Sequence, residues 1–354
     1  PHKLYCIPVM QPDHQTREHD EHMPDDVFFE DRIHIAVRRM FEGSGDVPAQ
    51  APTVKVINLS IGDTAREFIH TPSPWARVID WLAYHYRVLF CISAGNYCDT
   101  INIGLTQQQF AALSDGEKIS ATVKAISNSL TSRRLLSPAE AMNAITVGAA
   151  HADDSGNAYP QFGQRVDVLP SQTLFSPATR LGFGFNRSIK PDILMPGGRQ
   201  LYNAPMQDSS TLYSVDNSII APGQKVALDS KKQGVLNSEA FWRGTSNATA
   251  LATRGAVRLY DMLDRLRNEE GEDIPETLMS VLMKTLLVHG AKQDDVGKQH
   301  IEQALKDARN THQFKQAITR YLGYGIVDIE RVLTCTAQRA TVLGYGEIRE
   351  NEVH

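Results

Sequence analysis

Val54-Lys-Val-Ile-Asn-Leu-Ser60 and Val88-Leu-Phe-Cys-Ile-Ser-Ala94, with the stretch between them, decide the fold. Both runs are short, β-rich and nearly continuous in apolar character, as strands buried on both faces are. Between them Trp75, Val78, Ile79, Leu82 and Tyr86 fall at helical spacing, just after Pro72 and Pro74. Strand, amphipathic helix and strand make a parallel βαβ unit. Ala144-Ile-Thr-Val-Gly-Ala149 reads as a further strand. Leu278 to Val288 reads as a helix that is apolar on most sides and so buried. The fold class is therefore α/β around a parallel sheet.

Working outward, polar segments punctuate this core. His14–Asp26 is rich in His, Asp and Glu, and Gly197–Ser238 in Gly, Ser, Asp and Asn. Tyr97–Pro138 holds helical patterns around Gln107–Leu113 and Ile119–Leu130. These read as surface loops or insertions on a rigid scaffold. The 354 residues suffice for one large α/β domain. A net charge of −5 offers no basic field for nucleic acid, and no apolar run reaches the roughly 18 residues a membrane span needs. Cys6, Cys91, Cys98 and Cys335 are too few for a disulfide framework and lean toward a reducing compartment, with Cys91 expected as a buried thiol.

Three clusters carry chemistry. In Arg243-Gly-Thr-Ser-Asn-Ala-Thr-Ala-Leu-Ala252, Gly244 permits a tight turn and Ser246 opens a helix of small residues. A serine at a helix N-terminus sits among unpaired N–H groups where the dipole favours negative charge. That suits a nucleophile whose reaction creates an oxyanion. A helix cap by Thr245 or Ser246 explains the same residues. In Ile92-Ser-Ala-Gly-Asn96 a buried strand ends in small residues and an amide, where ligands bind in an open parallel sheet. Asn96 there can donate to an oxyanion or merely end the strand in a turn. In Asn58-Leu-Ser-Ile-Gly-Asp63, Gly62 lets another backbone approach, as a substrate pairing by strand addition requires.

Taken together and in this order, the clusters resemble the subtilisin-like serine proteases, the subtilase family. Asn58–Gly62 resembles the family's substrate-binding strand, Ser93-Ala-Gly-Asn96 its oxyanion motif, and Gly244-Thr-Ser-Asn-Ala248 its nucleophile motif. Ser137–Ala149, Lys190–Gly198 and Gly323–Asp328 match between and after them, so the resemblance runs from about Tyr5 to about Leu333. It implies a three-layer subtilisin-like fold and a serine endopeptidase acting on a peptide or protein substrate. Ser246 would be the nucleophile and Asn96 the oxyanion donor. Ser60, Ile61, Gly62, Ser93, Ala94, Gly95 and Thr245 would line the substrate cleft. Ala250 stands where the family usually has Pro.

The family orders its triad Asp, His, Ser. The family's Asp-Ser/Thr-Gly turn and its His-Gly-Thr helix are both read as missing from the chain, and the one His-Gly pair, His289-Gly290, follows Ser246. Lys3–Met10 resembles the strand after the family's His helix, so the chain is expected to begin just past the base. The sheet is then expected to be incomplete at its N-terminal side, and the strands around Val54 and Val88 to have unpaired backbone groups. A separate N-terminal segment supplying Asp and His, or a swapped dimer, would complete it. The alternative is an inactive, subtilase-derived peptide-binding module. Residues 1–334 are read as the partial peptidase domain. Arg339–Ile348 is read as a strand and turn opening an extension over 335–354. His14, His19 and His22 match no metal-ligand spacing. His34, His70, His85 and His151 read as structural. Neither a phosphate loop nor a calcium loop is present, so no cofactor or metal is expected.

Overall fold

Phe90 and Ile92 pack into one hydrophobic cluster and Leu89 and Cys91 into another, because successive side chains of a strand point to opposite faces. All four are buried, which explains the unbroken apolar run. The computed structural model describes residues 2–13, 21–156, 164–228, 230, 234–271, 273–306 and 311–346.

Helix α1 (Phe29–Phe41) precedes β1 (Val56–Leu59), and β2 (Asp63–Glu67) follows closely. Next come α2 (Pro74–Tyr86) and β3 (Leu89–Ser93), then α3 (Gln107–Ala111), α4 (Asp115–Asn128) and the short β4 (Leu136–Ser137). Strands β5 (Ile145–Ala150) and β6 (Ile193–Pro196) lead to a hairpin of β7 (Gln224–Ala227) and β8 (Glu239–Trp242). Then come α5 (Thr245–Asn268), α6 (Met279–Gly290), β9 (Ala291–Lys292), α7 (Asp295–Leu305), α8 (Thr311–Leu322), β10 (Ile326–Val327) and α9 (Ile329–Leu333).

The helix expected from the Trp75 pattern forms for local reasons. Ser73 Oγ accepts from Ala76 N at 3.0 Å, Pro74 opens the first turn, and Arg87 ends the helix in a left-handed conformation. Its Trp75, Ile79 and Leu82 are buried against Phe90 and Ile92.

Among the described residues the central sheet runs β9-β10-β6-β5-β3-β1, parallel except for β9. One face packs on α5 and α6 through Cys91, Val147, Ile193, Ala252 and Leu286. The other packs on α1 and α2, and farther along on α4, α7 and α8. The parallel α/β sheet is the one that the alternating pattern foretold, and its three layers are those the resemblance implied.

Three expectations need correction. Strand β3 pairs on both sides, with β1 and β5, so unpaired backbone at this end of the sheet is confined to β1. Lys3–Met10 forms no strand; it runs irregularly, and Val9 and Met10 lie against the α1–α2 cluster. Arg339–Gly346 forms no strand either; Thr336 and Arg339 make a single bridge, and Leu343 packs against the α5–α6 cluster. Residues 347–348 lie outside the described residues, as do His14 and His19.

Candidate active site

Helix α5 begins at Thr245, and its N-cap is Gly244, at φ 130° and ψ 177°. No side chain caps this end. The helix-cap reading of Thr245 and Ser246 therefore fails. Thr245 instead points at the neighbouring strand end: its N–H and its hydroxyl both donate to Asn96 Oδ1, at 2.9 and 3.0 Å.

That bond orients Asn96. With Oδ1 held by Thr245, the amide nitrogen is left as the donor end. A Cβ at Gly244 would stand 2.9 Å from Asn96 Nδ2, so only glycine lets the amide approach this closely. Gly244 is fixed in turn by its N–H donating to Gly197 O at 2.8 Å. The preceding Arg243 donates to the carbonyls of Pro222, Ser218 and Ile220, tying the loop before β7 to the start of α5.

Ser246 is exposed in the second position of α5. Its hydroxyl donates to Ser60 O at 3.5 Å, the outer limit of a hydrogen bond. The buried side of the helix is Ala248, Thr249, Ala252, Gly255 and Ala256, small enough for α5 to press on the sheet beneath. The nucleophile candidate thus sits at the positive end of a 24-residue helix.

The cleft candidates leave two adjacent parallel strands side by side, since Leu59 pairs with Ile92 at their carboxyl ends. Ser60, Ile61 and Gly62 follow β1; Ser93 ends β3, and Ala94 and Gly95 follow it. Ser60 Oγ donates to Asn58 Oδ1 at 3.0 Å. Ala94 N donates to Val147 O, and Ala94 O accepts from Leu136 N. The structure therefore assembles Ser246, Asn96, Thr245 and both cleft segments in one place.

Two residues there carry no local sequence signal. Arg180 donates to Asn96 O at 3.0 Å, to Arg134 O at 2.9 Å and to Glu67 Oε1 at 2.6 Å. Leu136 lies between Gly62 and Gly95. Both come from distant segments, and only tertiary packing brings them in.

Among the described residues, His151, His85, His34 and His22 each have partners other than Ser246. His151 is buried, with Nε2 2.9 Å from Asp167 Oδ1 and Nδ1 accepting from Gln200 N. Burial pushes the Asp167 carboxyl up, but His151 and the Leu169 N–H outweigh it and hold it below the usual carboxylate range. His85 stacks on Trp81, and His34 meets the same ring edge-on. His22 hydrogen-bonds Gln11. One triplet, Asp154-Ser155-Gly156, spells the family's Asp motif, but it follows Asn96 in the chain; its Ser155 hydroxyl donates to Gly223 O. No cluster of three or more metal-ligating side chains occurs among the described residues, and all four cysteines are free.

Ser246 at the N-terminus of α5, the Asn96 amide held by Thr245 and the two strand ends after β1 and β3 thus meet at the carboxyl edge of the parallel sheet. The chain belongs to the subtilase family, whose match covers residues 39–325. Among curated proteins it resembles "Uncharacterized protein y4bN" of Sinorhizobium fredii, with 29% identity over 154 residues, 42% of this chain and 32% of that one. It thus spans about a third of that relative's length. Among solved structures it is similar to "Proteases from Pseudoalteromonas arctica PAMC 21717", with 14% identity and a TM-score of 0.45, covering 88% of this chain and 60% of that one. It is also similar to the "Prenylagaramide maturation protease PagA", with 15% identity and a TM-score of 0.41, covering 87% and 68%.

Proposed function

We propose that this chain carries the nucleophile and oxyanion site of a serine endopeptidase. The base takes the Ser246 Oγ proton as the oxygen attacks the scissile carbonyl and passes it to the leaving amine as the C–N bond breaks; water, deprotonated by the same base, then cleaves the acyl ester and the proton returns to Ser246. Asn96 Nδ2 and the Ser246 N–H donate to the oxyanion, whose charge the α5 terminus also favours. The observation that carries this reading is the double hydrogen bond from Thr245 to Asn96 Oδ1, which leaves the opposite, donor end of the amide as the one available beside Ser246.

In this proposal the base and its carboxylate partner come from a segment other than the described residues. The open edge of β1 supports this. Its sequence is that of a central strand, yet among the described residues it pairs only with β3. A strand added to that edge lies next to Ser60, the carbonyl nearest the Ser246 hydroxyl. A preceding segment carrying Asp and His supplies it in this proposal; a swapped copy of the chain is the second source.

A fluorophosphonate probe tests the reading on the full-length protein. A single adduct on Ser246, lost in Ser246→Ala, is the expected result. Labelling of a different serine, or none in the full-length protein, would count against it. Coding sequence upstream of Pro1 with an Asp turn and a His-Gly-Thr helix would identify the source of the base.

A further inference from the structure

A cavity of about 500 Å³ lies at the end of β2 away from Gly62, and none of its lining residues belongs to the Ser246 site. The β2–β4 pairing aligns Asp63 with Ser137 and Glu67 with Leu136, and Phe68 N then donates to Leu135 O at 2.8 Å, which brings the chain to the cavity wall. That wall is apolar. Phe68, Leu135 and Leu181 are buried in it, and Phe183 lines it beside them. The charge it carries is of one sign. Arg134, Arg187 and Arg320 line it, and among the described lining residues there is no Asp or Glu. The guanidinium carbons of Arg320 and Arg187 lie 5.0 and 6.0 Å from the centre of the same Phe183 ring. Arg187 also donates to Gln316 Oε1, a neutral acceptor that does not offset its charge. The turn presenting it holds two consecutive non-glycine residues, Asn186 and Arg187, at φ 50° and 63°, a region that bulky side chains rarely adopt. Glu67, the carboxylate next to Phe68 in the chain, is taken by Arg180 at 2.6 Å.

Like charges gathered over one apolar surface repel, and an anion placed among them turns that repulsion into attraction. In a chain of net charge −5 this concentration of arginine is local. Guanidinium groups match carboxylates in geometry as well as charge. A wall of Phe and Leu takes apolar side chains, and a bare anion would leave it wet. The volume falls within the roughly 300–1,000 Å³ of ligand sites. We propose that this cavity is a second peptide-binding site, and that it takes an acidic segment in which Glu or Asp carboxylates are flanked by aliphatic or aromatic side chains. Ile69, His70 and Arg187 are exposed at its rim and leave it open to such a segment. It is also tied to the oxyanion loop. Arg134 O accepts from Arg180 at 2.9 Å, and Arg180 donates in turn to Asn96 O at 3.0 Å. The binding goes beyond the acyl-transfer reading and does not depend on it.

The test therefore reads binding. Full-length protein carrying Ser246→Ala is titrated calorimetrically with acetyl-Gly-Leu-Glu-Glu-Phe-Gly-amide and with the same peptide carrying Gln in place of both Glu. The two peptides share shape and differ in charge. The Glu peptide is expected to bind about tenfold or more tightly, the advantage of charge-assisted over neutral hydrogen bonds, and to weaken as salt is added. Arg134→Gln together with Arg187→Gln should erase most of that difference. Equal binding of the two peptides overturns the proposal, as does an undiminished Glu preference in a double variant whose circular dichroism is native. If the double variant does not fold, Arg187→Gln alone decides, since that side chain is exposed. Inorganic phosphate binding as tightly as the Glu peptide would make this a site for small anions and overturns the peptide assignment. A wild-type protein that cleaves no peptide, with the Glu preference intact, removes only the acyl-transfer reading.

Discussion

Asn96 Oδ1 accepts from both the N–H and the hydroxyl of Thr245, joining the end of β3 to the first residue of α5. One side chain thus holds the amide proposed as the oxyanion donor against the helix terminus. Replacing Asn96 with Ala is expected to lower kcat by about 10²–10³, the magnitude found on removing the equivalent donor from a subtilisin. Thr245→Val keeps the backbone bond and loses the hydroxyl. Its expected cost is smaller, about fivefold, in line with one hydrogen bond of about 1 kcal/mol. Steady-state kinetics with KM resolved from kcat check both.

Gly244→Ala attacks the same contact from the backbone. The new Cβ would meet Asn96 Nδ2 at 2.9 Å, on a residue held at φ 130°. We expect loss of activity with a fall of about 1–3 kcal/mol in unfolding free energy, the cost of a strained backbone position. Urea denaturation and a peptide assay read the two effects separately.

Much of this site is legible in the sequence, and the reason is local. Ser246, Asn96 and Ser60–Gly62 each follow a run whose apolar continuity marks a buried strand or whose small residues mark a buried helix. Each therefore falls at a sheet's carboxyl edge or a helix's first turn. Leu136 and Arg180 were not legible, because nothing next to them in the chain reports that they meet Gly95. The edge position of β1 was half legible. Its composition is that of an interior strand, and composition does not say on which side a partner lies. Lys3–Met10 makes no strand even though β1 has an open edge; Pro8 within it lacks the N–H that a ladder needs. The cap reading of Thr245 and Ser246 fell because Gly244 takes the N-cap position, and no spacing rule contains the Thr245–Asn96 bonds that stand in its place.

Acid should destabilise the fold through two buried carboxylates. Burial raises Asp153, but the Arg199 guanidinium and backbone donors outweigh this and hold it low; Asp167 is held low by His151 in the same way. A carboxylate whose folded pKa lies below its unfolded value of about 3.9 adds stability above that value and loses it as pH falls through the folded pKa. Unfolding free energy is therefore expected to stay level from pH 7 to about 5 on account of these groups and to drop below about pH 4. Urea midpoints against pH check this, with Asp153→Asn and Asp167→Asn each flattening the acid limb.

The thiols offer a test of the core. Cys91 is fully buried between the sheet and α5, and burial pushes its thiol up to about 12. Cys6, Cys98 and Cys335 are exposed. A disulfide-exchange reagent is expected to titrate those three in the native protein and all four in denaturant. Rapid native reaction of Cys91 would contradict the packing of α5 on β3.

The central claim is that Ser246 is the nucleophile. Cleavage of an unstructured protein substrate by the full-length protein, followed by mass spectrometry, tests it directly against the Ser246→Ala variant. The account requires cleavage by the wild type and none above background by a variant with the same circular dichroism and thermal midpoint. Cleavage retained by that variant would contradict it.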